Sequence, residues 1–230
     1  MNITEVKEQV LIANQQLETT GLVKLTWGNV SGIDREQGLV VIKPSGVPYS
    51  HLSIEQLVVL DLEGNKVEGA LKPSSDTPTH LALYRAFSEI GGIVHTHSMY
   101  ATMFAQAGRE IPCLGTTHAD HFSGTIPLAR HLTRKEVEED YEANTGKCII
   151  ERFEKINPME IPGVLLHQHA PFTWGKTPQE ALINSQVLEA VAEMAWGTYL
   201  LNAATKEIPN HIMNKHYTRK HGPDAYYGQK

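Results

Sequence analysis

Ile3, Val6, Val10, Ala13 and Leu17 recur every three or four residues among polar positions. That period predicts an amphipathic first helix ending near Gly21. Leu39 to Ile42 and Leu57 to Leu62 are instead aliphatic, β-branched runs bounded by glycine and proline, the pattern of buried strands. Thr77-Pro78 reads as a cap followed by proline at the first helical position, opening a helix that runs to about Ser88 and stops before Gly91-Gly92. Thr133-x-x-Glu136 is a capping-box signature for a polar helix closing near Gly146, and Thr177-Pro178-Gln179-Glu180 opens the longest helix, to about Ala204. Strands and helices alternate with no long polar linker, low-complexity stretch or repeat, so the pattern predicts one α/β domain.

Composition narrows the function more than the fold. The 230 residues, 41% of them apolar, can fill the core of one large α/β domain. A net charge of −6 and a pI near 6.0 lack the basic footprint of a nucleic-acid binder. Cys113 and Cys148 are too few for a disulfide framework and fit a reducing compartment. The N-terminus has no apolar core of signal-peptide length, and no run approaches a membrane span. The expectation is a soluble, cytoplasmic protein with no membrane and no nucleic-acid partner.

Two histidine pairs carry the most specific chemistry. His95-Thr96-His97 and His167-Gln168-His169 each end a short apolar run, Gly92-Ile93-Val94 and Gly163-Val164-Leu165-Leu166. Along a strand, residues i and i+2 share a face about 6.5–7 Å apart. Each pair can therefore converge on one ion, with zinc–nitrogen bonds of about 2.0–2.1 Å. One pair alone is as readily a solvent-facing coincidence; two pairs make a three-histidine site possible, with a position open for substrate.

Anion-binding chemistry is suggested by three further segments. Lys72-Pro73-Ser74-Ser75-Asp76 lies just ahead of the helix starting at Pro78, where hydroxyls and free backbone N–H groups favour an anion. Lys43-Pro44-Ser45 repeats the tripeptide and is followed by Gly46, while Gly28-Asn29 forms a turn after Trp27 in which the backbone can approach an oxyanion. Each segment alone reads more readily as a turn; together they suggest a phosphate or carboxylate pocket. Gly115-Thr116-Thr117-His118-Ala119-Asp120 is a second polar cluster, in which Asp120 would act as general acid or base if it faced the metal pocket. The C-terminal stretch holds His216, Arg219 and the adjacent Tyr226 and Tyr227. Terminal residues fray by default, yet paired tyrosines are poor material for a disordered tail, and an arginine there can clamp a phosphate.

The order and spacing of Thr26-Trp27-Gly28-Asn29-Val30-Ser31, Lys43-Pro44-Ser45-Gly46, Lys72-Pro73-Ser74-Ser75-Asp76-Thr77, Gly91-Gly92-Ile93-Val94-His95-Thr96-His97, Gly115 to Asp120 and Lys220-His221-Gly222 through Tyr226-Tyr227-Gly228-Gln229 resemble the class II aldolase/adducin family. Across essentially the whole chain the likeness is to the family's pentulose-phosphate 4-epimerases. The resemblance implies a single domain over residues 1–230 with a three-layer α/β/α fold around a large, mostly antiparallel central sheet. It implies a homotetramer in which the tail from about residue 210 contributes to an inter-subunit active site. It assigns one Zn2+ per subunit to His95, His97 and His169, with Asp76 beside or on the metal, and with other divalent ions as substitutes. It assigns the substrate phosphate to Gly28, Asn29, Ser45, Gly46, Ser74 and Ser75. Asp120 and Tyr227 become the acid/base pair, the tyrosine reaching into a neighbouring subunit's site, and His216 and Arg219 line that cleft. His167 is left to packing or to supporting the ligands from behind.

The implied reaction inverts C4 of L-ribulose 5-phosphate to give D-xylulose 5-phosphate. The C4 hydrogen is not α to the C2 ketone, so its removal would give an unstabilised carbanion. Breaking C3–C4 instead leaves the charge on an enediolate, which zinc holds as a Lewis acid. Glycolaldehyde phosphate then rotates and is attacked on its other face. An aldolase of the L-fuculose-phosphate type is the nearest alternative, but such enzymes tend to carry glutamate where this chain has Asp76. A scaffold with a structural zinc is a rival of another class, and the retained phosphate loops and acid/base candidates count against it. Two departures from the family pattern are His121, where tyrosine is usual, and Ala170, where glycine is usual.

Overall fold

A computed structural model describes residues 2–222 and 225–228. Gln229 and Lys230, the end of the expected tail, lie outside the described residues, as do Met1, Pro223 and Asp224. Helix α1 (Ile3–Thr19) opens with a capping box between Asn2 and Glu5 and buries the periodic residues Val6, Val10, Ala13 and Leu17. Strands β1 (Gly28–Asp34), β2 (Leu39–Ile42), β3 (Val58–Asp61) and β4 (Lys66–Glu68) follow. After them come α2 (Thr77–Ala86), β5 (Gly92–Thr96), α3 (Met99–Gln106), the short α4 (Thr116–Ala119), β6 (Leu128–Ala129) and α5 (Arg134–Arg152). The chain ends with β7 (Gly163–Leu166), β8 (Pro171–Gly175), α6 (Pro178–Leu201) and α7 (Asn210–Lys220).

The eight strands form one sheet in the order β4-β3-β2-β1-β5-β8-β7-β6. Every pairing is antiparallel except β6 with β7. On one face Ile33, Val40, Ile93, Val164, Phe172 and Trp174 pack beneath α2 and α5. On the other, Val30 and Val94 pack under α1 and α6, Val41 and Val59 under α1, and Leu165 under α3 and α6. This is the expected three-layer arrangement. It also fixes the parity that matters: Val94 faces α1 and α6, so its neighbour His95 faces the α2 side, as do Asn29 and Ser31 on either side of Val30.

Two local expectations are corrected. Gly28 and Asn29 begin β1 rather than lying in a turn. The helix from Thr133 does not stop at Gly146 but continues to Arg152. Gly146 is there because α5 crosses close to α2: a Cβ at this position would lie 2.6 Å from the Ala82 Cβ. Among the described residues no helix is long and apolar enough to cross a membrane.

Candidate active site

Strand β5 sits between β1 and β8, with His95 opposite Asn29 on one side and Phe172 on the other. The His95 ring stacks on Phe172 with centroids 4.2 Å apart. Its Nδ1 lies 2.9 Å from the Pro171 carbonyl oxygen, which only an N–H can satisfy, so the lone pair is on Nε2. His97 follows just past the strand end, and His169 arrives from the β7–β8 connection. The three rings lie with centroids 5.0, 5.1 and 5.1 Å apart, and a nitrogen from each falls within 4.8 Å of the others. Burial and the neighbouring imidazoles push His97 down and His169 to about 4, which favours the neutral form that ligates metal. The donor set and the fixed His95 tautomer fit a divalent ion in an open three-imidazole site.

The second histidine pair does not behave as strand alternation predicts. Gln168 has φ +56°, and the chain from Leu166 to Ala170 closes a tight turn through His169 N–H to Leu166 O and Leu166 N–H to Ala170 O, both 3.0 Å. The reversal separates the two side chains. His169 joins the cluster, while His167 stacks on His131 with centroids 3.6 Å apart.

Asp76 is the residue before α2, but its carboxylate caps no backbone group of that helix. Instead Oδ2 accepts from Asn29 Nδ2 at 2.6 Å and from Ser74 Oγ at 3.4 Å. Burial pushes its carboxyl up, but His95, His80, the Asn29 hydrogen bond and His169 together outweigh burial and hold it below the ordinary range. Beside it the repeated Lys-Pro-Ser tripeptides pair with each other. Ser45 N–H donates to Lys72 O and Ser74 N–H to Lys43 O, both at 3.0 Å, and Pro44 bridges to Pro73. Gly28, Asn29, Ser45, Gly46, Ser74, Ser75, Asp76 and the three histidines all line one cavity of about 570 Å³. Gly28 has φ +146°, and a Cβ there would lie 2.8 Å from both the His95 carbonyl oxygen and Val23 Cγ1. Gly28→Ala is therefore expected to cost about 1–3 kcal/mol, read as a lower midpoint in thermal unfolding; an unchanged midpoint would show that the strand relaxes freely.

Lys43, Tyr141 and Glu142 also line this cavity and carry no site assignment from sequence. Lys43 is 2% exposed, with Nζ 4.9 Å from the Tyr49 ring, and burial pushes its ammonium down to about 8. Its position inside Lys43-Pro44-Ser45-Gly46 was the available signal. Tyr141 and Glu142 reach the cavity because α5 breaks at Asp140 (φ −167°, ψ 92°), whose carboxylate accepts from Ala143 N–H like a second helix cap. Tyr141 Oη lies 3.4 Å from His169 Nδ1.

Asp120 belongs to a different cluster. It follows α4 and receives Arg219 Nε at 3.0 Å and the other guanidinium nitrogen at 2.6 Å, with His216 Nδ1 at 3.0 Å and Lys220 Nζ at 3.4 Å. Burial acts to raise its carboxyl, but Arg219, His216 and Lys220 outweigh it and bring it down to about 2. Tyr227 N–H donates to Arg219 O, and the Tyr227 ring lies 5.0 Å from the Arg219 guanidinium and 4.5 Å from Lys220 Nζ. The tail is thus docked through α7 onto α4. Asp120, His216, Arg219 and Tyr227 come together, and none of them lines the histidine cavity.

This architecture and cavity define a known class. Residues 8–196 match the model of the class II aldolase and adducin N-terminal domain, and the chain belongs to that family. Within it, the chain is 55% identical over 98% of its length to L-ribulose-5-phosphate 4-epimerase UlaF of Salmonella paratyphi C, covering 99% of that protein. Among solved structures it resembles L-fuculose 1-phosphate aldolase with a TM-score of 0.80 and 26% identity, over 95% of this chain and 97% of that one. YgbL of Klebsiella pneumoniae shares the fold with a TM-score of 0.73 at 21% identity, over 94% of this chain and 99% of that one.

Proposed function

We propose that this chain is a zinc-dependent, cytoplasmic L-ribulose-5-phosphate 4-epimerase that works as a homotetramer. The observation that carries this reading is the convergence of three imidazoles, Asp76 and the six phosphate-loop residues on one cavity, in a chain 55% identical to a named epimerase. A divalent metal would be held by His95, His97 and His169, with Asp76 beside or on it, and would supply Lewis-acid stabilisation of oxyanion charge.

The chain's own residues do the rest. Hydroxyls of Ser45, Ser74 and Ser75, with the backbone around Gly28, Asn29 and Gly46, hold the phosphate and keep glycolaldehyde phosphate from leaving while its carbonyl turns. Cleavage requires a base to take the C4 hydroxyl proton as the C3–C4 electron pair stays on C3. Re-addition to the opposite face requires an acid to return a proton to the C4 oxygen. Asp120 and Tyr227 fill these two roles, each worth on the order of 10²–10⁴ in rate.

Because that pair lies away from its own histidine cavity, the catalytic domain of residues 1–230 completes its site with a neighbour's Asp120 and with that neighbour's tail, from about residue 210 onward, and His216 and Arg219 line the shared cleft. Exposed Met99, Met103, Met194, Trp196 and Leu200 on α3 and α6 supply apolar surface for subunit contact. Closed symmetry gives each cavity one such neighbour.

The reading is tested by supplying the zinc-loaded chain with L-ribulose 5-phosphate and coupling the assay to D-xylulose 5-phosphate. Steady formation of that product supports it. Accumulation of free glycolaldehyde phosphate would assign the chain to the aldolases instead. The depressed Asp120 carboxyl adds a stability test. Its stabilisation is present above the unfolded value of about 3.9 and is lost as pH falls toward about 2. Asp120→Asn is therefore expected to be less stable than the parent at neutral pH, with the gap in denaturant midpoint closing between about pH 4 and pH 2. A gap that stays constant over that range would contradict the Asp120–Arg219 pairing.

A further inference from the structure

Tyr141 reaches the histidine cavity from α5, yet the chemistry above makes no use of it. Breaks in helices have local causes, and two buried side chains brace the one that brings Tyr141 inward. Thr79 Oγ1, on α2, donates to Glu142 O at 2.6 Å, and Asn144 Nδ2 donates to Glu136 O across the break at 2.8 Å. The segment that carries Tyr141 is therefore pinned to α2 rather than free to drift. At the end of the side chain, Oη lies 3.4 Å from His169 Nδ1, at the long end of hydrogen-bond reach.

The direction of that hydrogen bond follows from what a metal ligand needs. If the tyrosine donated to Nδ1, the imidazole proton would sit on Nε2, and neither nitrogen would offer a free lone pair. With Nδ1–H donating to Oη, the Nε2 lone pair is free for a divalent ion. His95 is arranged in the same way, its Nδ1–H donating to Pro171 O at 2.9 Å. An oxygen that takes the second ring N–H fixes both the tautomer and the orientation of a metal-binding imidazole.

We propose that Tyr141 is a positioning residue, whose hydroxyl oxygen accepts from His169 Nδ1–H and holds that ring with Nε2 toward the metal. The inference rests on the reading that His95, His97 and His169 hold the metal. A packing role is the competing explanation, since Tyr141 also lines a smaller cavity of about 190 Å³ with Leu132, Val137 and Leu166. The two separate on one atom: packing requires the ring, positioning requires its oxygen.

The test uses the full chain and measures zinc affinity by chelator competition, the visible spectrum of the cobalt-loaded protein, and the unfolding midpoint of the metal-free protein. Tyr141→Phe keeps the ring of a residue that is 38% exposed, so the metal-free midpoint is expected to stay at the parental value. Zinc affinity is expected to fall about 10–100-fold, the usual effect of removing a group that orients a ligand, and the cobalt spectrum to change. In a His169→Ala background the same substitution is expected to cost nothing further, because the ring it serves is gone. Parental zinc affinity and spectrum in Tyr141→Phe would overturn the proposal, as would a loss of equal size with His169 already removed. A parent chain that binds no zinc would overturn the metal-site reading itself and this inference with it. A parent that binds zinc beside an unaffected Tyr141→Phe overturns only the role of Tyr141.

Discussion

His169→Ala is expected to lose bound zinc and activity together, whereas His167→Ala is expected to keep both within a few-fold of the parent. The two histidines are separated by one residue, and strand alternation alone treats them alike. The left-handed Gln168 between them turns His169 into the cluster with His95 and His97 and leaves His167 stacked on His131. A group that merely orients a metal ligand is worth about 10–100-fold in affinity, so losing one of the three imidazoles themselves is expected to cost at least about 10²-fold. Metal content after dialysis, chelator competition and turnover of L-ribulose 5-phosphate read the effect, with thermal unfolding of the metal-free proteins as control. A His167→Ala variant that loses zinc as fully as His169→Ala would show that the second pair acts as a pair.

The second large effect concerns Tyr227. Its ring lies over Arg219 and Lys220, 60% exposed, and it does not line the histidine cavity. Tyr227→Phe is expected to keep zinc and fold while losing about 10²–10⁴ in turnover. The decisive version mixes subunits. Tyr227→Phe and His169→Ala oligomers are each expected to be nearly inactive. Co-assembled in equal amounts, they should recover about a quarter of parental activity, because one site in four pairs an intact metal cluster with a neighbour's intact tyrosine. No recovery on mixing would place Tyr227 and the metal in the same subunit.

What the sequence shows and what it hides have physical reasons. α1 is legible because it buries one stripe, although its capping box between Asn2 and Glu5 passes unread, and α2 and α6 are legible because each carries its own start signal. β1 is not legible: Gly28-Asn29-Val30-Ser31-Gly32 looks like a turn, because its polar residues face the cavity and the His80 side rather than solvent, and Gly32 is forced by close contact with Val6, Val10 and Pro178. The docking of α7 is hidden because the cluster around Asp120 that holds it joins residues about a hundred positions apart. The paired Lys-Pro-Ser loops and the three-imidazole cluster are visible as motifs, since each needs specific residue types at fixed spacing. Tyr141 and Glu142 are hidden because only the break at Asp140 turns them inward.

In the proposed reaction C4 is inverted through the C3–C4 bond and not through its C–H bond. Turnover of L-ribulose 5-phosphate by the zinc-loaded chain in D2O, followed by NMR, tests this directly. The expected result is D-xylulose 5-phosphate that retains its C4 proton, with no build-up of free glycolaldehyde phosphate. Deuterium at C4 of the product, or release of the aldehyde in place of the epimer, would contradict it.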